Sequence, residues 1–146
     1  MNFGVEIPFV HHLGFELMLF EGGASQIDYT PLPEHLNSFH VTHGGALMTL
    51  QDVVMATAAR SVQPDMGVVT IEMKTSFMRP APGDGSKLTA KGRLIHCTAT
   101  LAFTEGTVFD AQGRICSHAT GTFKYVKRLP VGPKGVNTLQ TVISTD

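Results

Sequence analysis

Two periods of apolar positions divide the chain. Over 15–20 and 24–30 apolar and polar residues roughly alternate, the pattern of half-buried strands, and Gly22-Gly23 turns the chain between them. A short helical turn is predicted ahead of them at 8–13, with Pro8 near its start. Pro31 and Pro33 break the second strand, and a loop runs on to Thr42. The period then lengthens. Residues 46–59 are apolar on nearly every face and long enough for a helix, which Gln63-Pro64-Asp65-Met66-Gly67 ends. Four extended segments follow, about 68–78, 87–97, 98–109 and 114–126, read as a meander with a hairpin turn at Asp110-Ala111-Gln112-Gly113. On the first of these, Val69, Ile71, Met73, Thr75 and Phe77 are expected to share one face. One long apolar helix among about six largely antiparallel strands predicts an α+β fold whose sheet buries the helix on one face.

The helix entrance carries the candidate chemistry. Asn37-Ser38-Phe39-His40-Val41-Thr42-His43-Gly44-Gly45 leads straight into the apolar stretch. A helix start leaves backbone N–H groups unpaired and partially positive, which suits a developing oxyanion. Gly44 and Gly45 carry no side chain to keep a substrate carbonyl away, although close packing or a simple turn would use glycine equally well. Inside the helix, Gln51-Asp52 interrupts the apolar run. A carboxylate on a helix enclosed by protein must be paired, hydrogen-bonded, protonated or set in a cleft. The plainer alternative makes Gln51 and Asp52 a thin solvent stripe along the helix edge.

Asn37, His43-Gly44-Gly45 and Asp52, in that order and spacing, resemble the hotdog-fold acyl-CoA thioesterases of the PaaI-like and acyl-CoA thioesterase 13 type. The similarity extends into Val69-Thr70-Ile71-Glu72-Met73-Lys74-Thr75-Ser76-Phe77-Met78-Arg79-Pro80-Ala81 and covers roughly Leu13 to Tyr125. The resemblance implies a sheet wrapped round the helix and a homodimer or homotetramer with active sites at the subunit interface. Asn37, His43 and Gly44 would come from one protomer, Asp52 and Thr70 from its partner. The Gly44 N–H and Asn37 amide would hold the oxyanion of an acyl-CoA thioester. Asp52 would activate water or attack the carbonyl itself, Thr70 would orient the water, and His43 would fix the loop. Gly45, Arg79, Lys87 and Arg93 are the further substrate-binding candidates, the three cations for CoA phosphates; Arg79 matches the family's aromatic-basic-proline position, whereas Lys91 and Arg93 alternate with Ala90 and Gly92 as on any half-exposed strand, whose solvated face is the plainer alternative. No cofactor is implied, because CoA is part of the substrate. A non-catalytic acyl-CoA or acyl-carrier binding protein on the same fold is the alternative.

Composition narrows the picture further. The chain has 146 residues, 42% of them hydrophobic and 16% charged, as expected of one globular domain, taken as 1–128 with a linker and tail over 129–146. A net charge of -1 supplies no bulk attraction to nucleic acid or an anionic membrane. Cys97 and Cys116 lack a paired-motif spacing, and the N-terminus has no basic-then-apolar leader pattern, so the chain is read as cytoplasmic with free thiols. His35, His40 and His43 lack the spacing of a metal motif, and no Gly-x-Ser-x-Gly nucleophile turn occurs.

Overall fold

The computed structural model describes residues 1–128; the expected linker and tail lie outside them. A short helix α1 (Pro8–Leu13) precedes strands β1 (Glu16–Glu21) and β2 (Ala24–Tyr29). After a single 3-10 turn, Pro33–His35, comes the long helix α2 (Gly44–Arg60). Strands β3 (Met66–Phe77), β4 (Leu88–Cys97), β5 (Leu101–Phe109) and β6 (Ile115–Lys127) complete the fold. All pairings are antiparallel, in the spatial order β1-β2-β4-β5-β6-β3. The α+β class and the sheet wrapped on one long helix are therefore as expected.

The simple meander is not. Of these four segments only β4, β5 and β6 follow one another in space; β3 crosses to the far edge and, among the described residues, pairs with β6 alone. Its expected apolar face is also broken. A bulge at Ile71 shifts the register between Thr70 and Glu72. Val68 and Thr70 lie opposite Tyr125 and Phe123 on the helix side, and Met73, Thr75 and Phe77 rejoin that side beyond the bulge. Val69 faces away and Ile71 stands 54% exposed.

Helix α2 buries Leu47, Leu50, Gln51, Val54, Met55, Ala58 and Ala59 against the sheet. It comes very close to the strands because they are small beneath it. Gly92 on β4 pairs with Gly106 on β5; a methyl group on Gly92 would collide with the Val54 carbonyl, and one on Gly106 would lie 3.0 Å from Met55 Cγ. Ser25 donates to the Val54 carbonyl (2.6 Å) and Tyr125 to that of Ala59 (2.6 Å), which ties the helix to β2 and β6. Met48 is exposed and Asp52 and Val53 half-buried, so one long face of α2 is left only partly covered by its own sheet.

Candidate active site

The helix starts at Gly44, two residues earlier than its apolar pattern, because His43 caps it. The His43 Nδ1 accepts the Gly45 N–H at 2.8 Å. A methyl group on Gly45 would lie 3.1 Å from that nitrogen, so glycine at this position makes room for the cap. The cap is held from below. The His43 N–H donates to the His35 carbonyl (2.9 Å), and the His35 ring shares a 2.7 Å hydrogen bond with the Tyr29 hydroxyl. Burial pushes that hydroxyl up to about 12, so it stays protonated. Neither Tyr29 nor His35 stands out in the sequence as a support of this loop; a histidine eight residues before the cap is the one visible trace.

The loop ahead of the helix folds around Asn37. Its Oδ1 accepts from the backbone of Phe39 (2.9 Å) and Val41 (3.3 Å), and His40 closes the turn at φ 59. Thr42 pins the loop to the segment after β3, donating from N to Ala81 O (2.9 Å) and from Oγ1 to Pro82 O (3.1 Å). Oδ1 is taken by the loop, and the Asn37 Nδ2 has no acceptor among the described residues. Asn37 and Gly44 line one open cleft of about 600 Å³, with Phe39, Leu47, Phe77 and Arg79 among its walls. The Gly44 N–H has no acceptor among the described residues. A methyl group on Gly44 would meet only the Phe77 ring, at 3.5 Å.

Asp52 and Thr70 meet elsewhere on the helix. The Thr70 hydroxyl donates to Asp52 Oδ1 at 2.7 Å, bridging α2 and the edge strand β3. Burial raises the Asp52 carboxyl above its usual range, and the Thr70 hydrogen bond offsets part of that rise. Asp52 stands eight residues beyond Gly44, about 12 Å along the axis, so within one chain the carboxylate and the cleft do not converge. Gln51 departs from the solvent-stripe alternative. It is fully buried, and its Nε2 donates to Ser117 Oγ at 3.0 Å.

The basic candidates separate. Arg79 is exposed beside the cleft. Lys87 pairs with Asp28 at 3.5 Å, and Arg93 grips Glu105 through two nitrogens at 2.9 and 2.7 Å. That grip, with help from His118, holds the Glu105 carboxyl below its ordinary value. Lys91 lies over the Phe109 ring. Arg93 and Lys91 lie opposite Glu105 and Thr107 on the sheet face turned away from the helix, so the structure does not bring Lys87, Lys91 and Arg93 together with Arg79. Cys97 and Cys116 are free thiols, and burial pushes the Cys116 thiol up. No helix among the described residues is long and apolar enough to cross a membrane.

The fold that carries these groups has known counterparts. Residues 39–117 match the model of the Thioesterase superfamily, and the chain belongs to that family. Among curated relatives it is 27% identical to "Putative esterase SSO2140" of Saccharolobus solfataricus, over 84% of this chain and 85% of that one. It is 36% identical to "Putative esterase F42H10.6" of Caenorhabditis elegans over 49% of this chain, a match spanning only 42% of the nematode protein. Among solved structures, the PaaI protein of the Escherichia coli phenylacetic acid degradation operon superposes with a TM-score of 0.76 at 22% identity, covering 86% of each chain. The smu.793 protein of Streptococcus mutans, solved bound to acetyl CoA, gives 0.72 at 22% identity, covering 80% of this chain and 92% of that one. The fold is thus the PaaI-like hotdog.

Proposed function

We propose that this protein hydrolyses acyl-CoA thioesters at sites assembled from two copies of the chain. The observation that carries the reading is the 2.7 Å hydrogen bond from Thr70 to Asp52 on the partly uncovered face of α2. It fixes a raised-pKa carboxylate where a second chain could bring its own cleft. The bond leaves Asp52 Oδ2 without a partner among the described residues, able to take a proton from water or to attack a carbonyl.

The other half of the site polarises the carbonyl. Gly44, with its unpaired N–H, and Asn37 line the same cleft, and a donor of this kind is worth about 3 kcal/mol in the transition state. The thioester carbonyl oxygen would sit between them. Attack on its carbon, by water that Asp52 deprotonates or by Asp52 itself, expels the CoA thiolate; the first route gives the acid directly, and the second gives an anhydride that water then cleaves. His43 accepts the Gly45 N–H, so its part is to hold the helix start rather than to transfer protons. Arg79, exposed at the rim of the cleft, is positioned for a CoA phosphate; Lys87 and Arg93 are already paired with acids.

The distance supports two copies, since about 12 Å of helix separates Gly44 from Asp52. The geometry offers a way to join them. Among the described residues strand β3 is a 12-residue sheet edge with unpaired backbone on one side and exposed Ile71 and Phe77 along it, the kind of edge that pairs with another chain. The acetyl-CoA-bound relative of the same fold supports CoA thioesters as the substrate class.

Thiol release from a panel of short, medium, long and aromatic acyl-CoAs tests this, with Asp52→Asn run beside the wild type. Saturable release that falls roughly 10²- to 10⁴-fold in the variant, with acyl-CoA still bound, is expected. Binding without release by the wild type would support the non-catalytic acyl-CoA carrier instead.

A further inference from the structure

A tyrosine hydroxyl buried beneath the site loop takes no part in the proposed hydrolysis. Tyr29 is almost fully buried on β2, its ring edge-on to that of Phe15 at 4.9 Å. Its hydroxyl meets the His35 Nδ1 at 2.7 Å and has no other partner among the described residues. The same nitrogen accepts the Leu32 N–H at 3.1 Å. A backbone N–H can only donate, so Nδ1 carries no proton; the neutral ring holds its proton on Nε2, and the Tyr29 hydroxyl is the donor. Two donors on one nitrogen therefore fix the tautomer and the place of the His35 ring.

His35 is also the foot of the loop that carries both carbonyl-polarising groups. Its carbonyl accepts the His43 N–H (2.9 Å), and the next pair inward, Leu36 and Thr42, forms an antiparallel bridge. Asn37 lies two residues inside this clasp, and Gly44 one residue outside it. Thr42 ties the clasp to Ala81 and Pro82, while the His35 ring ties it to β2. A shift at His35 would thus move Asn37 and the helix start together.

We propose that Tyr29 and His35 are positioning residues for the hydrolysis: the hydroxyl holds the ring in one tautomer, and the ring sets the clasp that presents Asn37 and Gly44 to the thioester carbonyl. The inference rests on the thioesterase reading of the same cleft. Neither residue lines the cleft, so neither touches the substrate; both act through the backbone of the clasp. A phenylalanine would fill the same core space without the hydroxyl, and a hydroxyl buried at this depth is costly unless it is bonded.

The test measures kcat and KM per mole of folded enzyme for the wild type, Tyr29→Phe, Asn37→Ala and the double variant, on an acyl-CoA that the wild type hydrolyses. Tyr29→Phe is expected to lower kcat roughly 10- to 100-fold with KM within about two-fold, because a donor moved out of line is missed in the transition state. With Asn37 already removed, the same substitution should cost much less, since one of the groups it aims is gone. A tyrosine that only supports the fold would cost the same factor in both backgrounds. His35→Asn, whose Oδ1 can stand in for Nδ1 as acceptor, is expected to keep far more of kcat than His35→Leu, a comparison that holds even if Tyr29→Phe fails to fold. Long-range proton–nitrogen correlation spectra of the wild type should show the His35 proton on Nε2. Unchanged kcat in Tyr29→Phe, an equal factor with and without Asn37, His35→Asn no better than His35→Leu, or a protonated Nδ1 would each overturn the inference and leave the thioesterase standing. Absence of turnover by the wild type on the whole acyl-CoA panel would overturn both.

Discussion

Gly44 and Gly45 are adjacent yet meet different surroundings. A methyl group on Gly45 would crowd the His43 Nδ1, whereas one on Gly44 would touch only the Phe77 ring at an ordinary distance. Gly44→Ala should therefore fold as well as the wild type, gaining up to about 1 kcal/mol of helix propensity, while thiol release falls because the methyl group stands beside the oxyanion donor. Gly45→Ala should instead lower the melting temperature by weakening a cap worth about 1 kcal/mol. Melting curves and kcat/KM for the two variants check the contrast; loss of stability without loss of turnover in Gly44→Ala would contradict the role given to its N–H. Asp52 makes a second residue-scale prediction. Burial raises its folded pKa above 3.8, so the folded chain holds that proton more tightly than the unfolded chain does. The resulting stability is present below the unfolded value and is lost as pH rises through the folded one. Asp52→Asn should melt higher than the wild type at pH 7, the gap closing once the pH falls below the carboxylate range. Equal melting at pH 7 would count against the raised value. The sequence shows Asp52 and the helix-start glycines plainly, but it groups Gln51 with Asp52 as one polar stripe. Neighbours on a helix point about 100° apart, which sends one into the core and the other to the open face. Nor does spacing tell a free cation from a paired one: Lys87 and Arg93 read like Arg79 until Asp28 and Glu105 are seen beside them.

At the scale of elements, most of the secondary structure is legible because strand and helix periods differ so clearly along this chain. Alternation gives β1 and β2, the apolar run gives α2, and the turn at Asp110–Gly113 falls between β5 and β6. Two things are not legible. One inserted residue at Ile71 reverses the sides of β3 without altering its composition. The pairing of β3 with β6 joins segments some fifty residues apart, as in Glu72 with Thr122, and no local signal records it. The depth at which α2 sits is written in Gly92 and Gly106, but their meaning emerges only once they lie side by side under Val54 and Met55. Gly92→Ala should cost about 2–3 kcal/mol or more, since the helix backbone must retreat to admit a methyl group. Denaturant unfolding of that variant checks the figure, and an unchanged midpoint would mean the helix has slack above the sheet.

In the proposed reading the single chain holds two half-sites on one helix, a polarising cleft at its start and an acid eight residues on. On that reading the distance along α2 keeps them from serving one carbonyl, and the edge of β3, open among the described residues, would be the route by which a second copy brings its acid to the first copy's cleft. The resemblance in the sequence points to such sharing, but no single-chain pattern reveals which face of α2 the partner would cover. The most direct measurement is subunit complementation: Asn37→Ala and Asp52→Asn chains, each deficient in thiol release alone, are unfolded together, refolded as a mixture and assayed on an acyl-CoA that the wild type hydrolyses. Mixed pairs would contain one intact site, with Asn37 and Gly44 from one chain and Asp52 from the other, so the account predicts that release reappears in the mixture. A mixture no more active than its two components, although shown to contain mixed pairs, would contradict it.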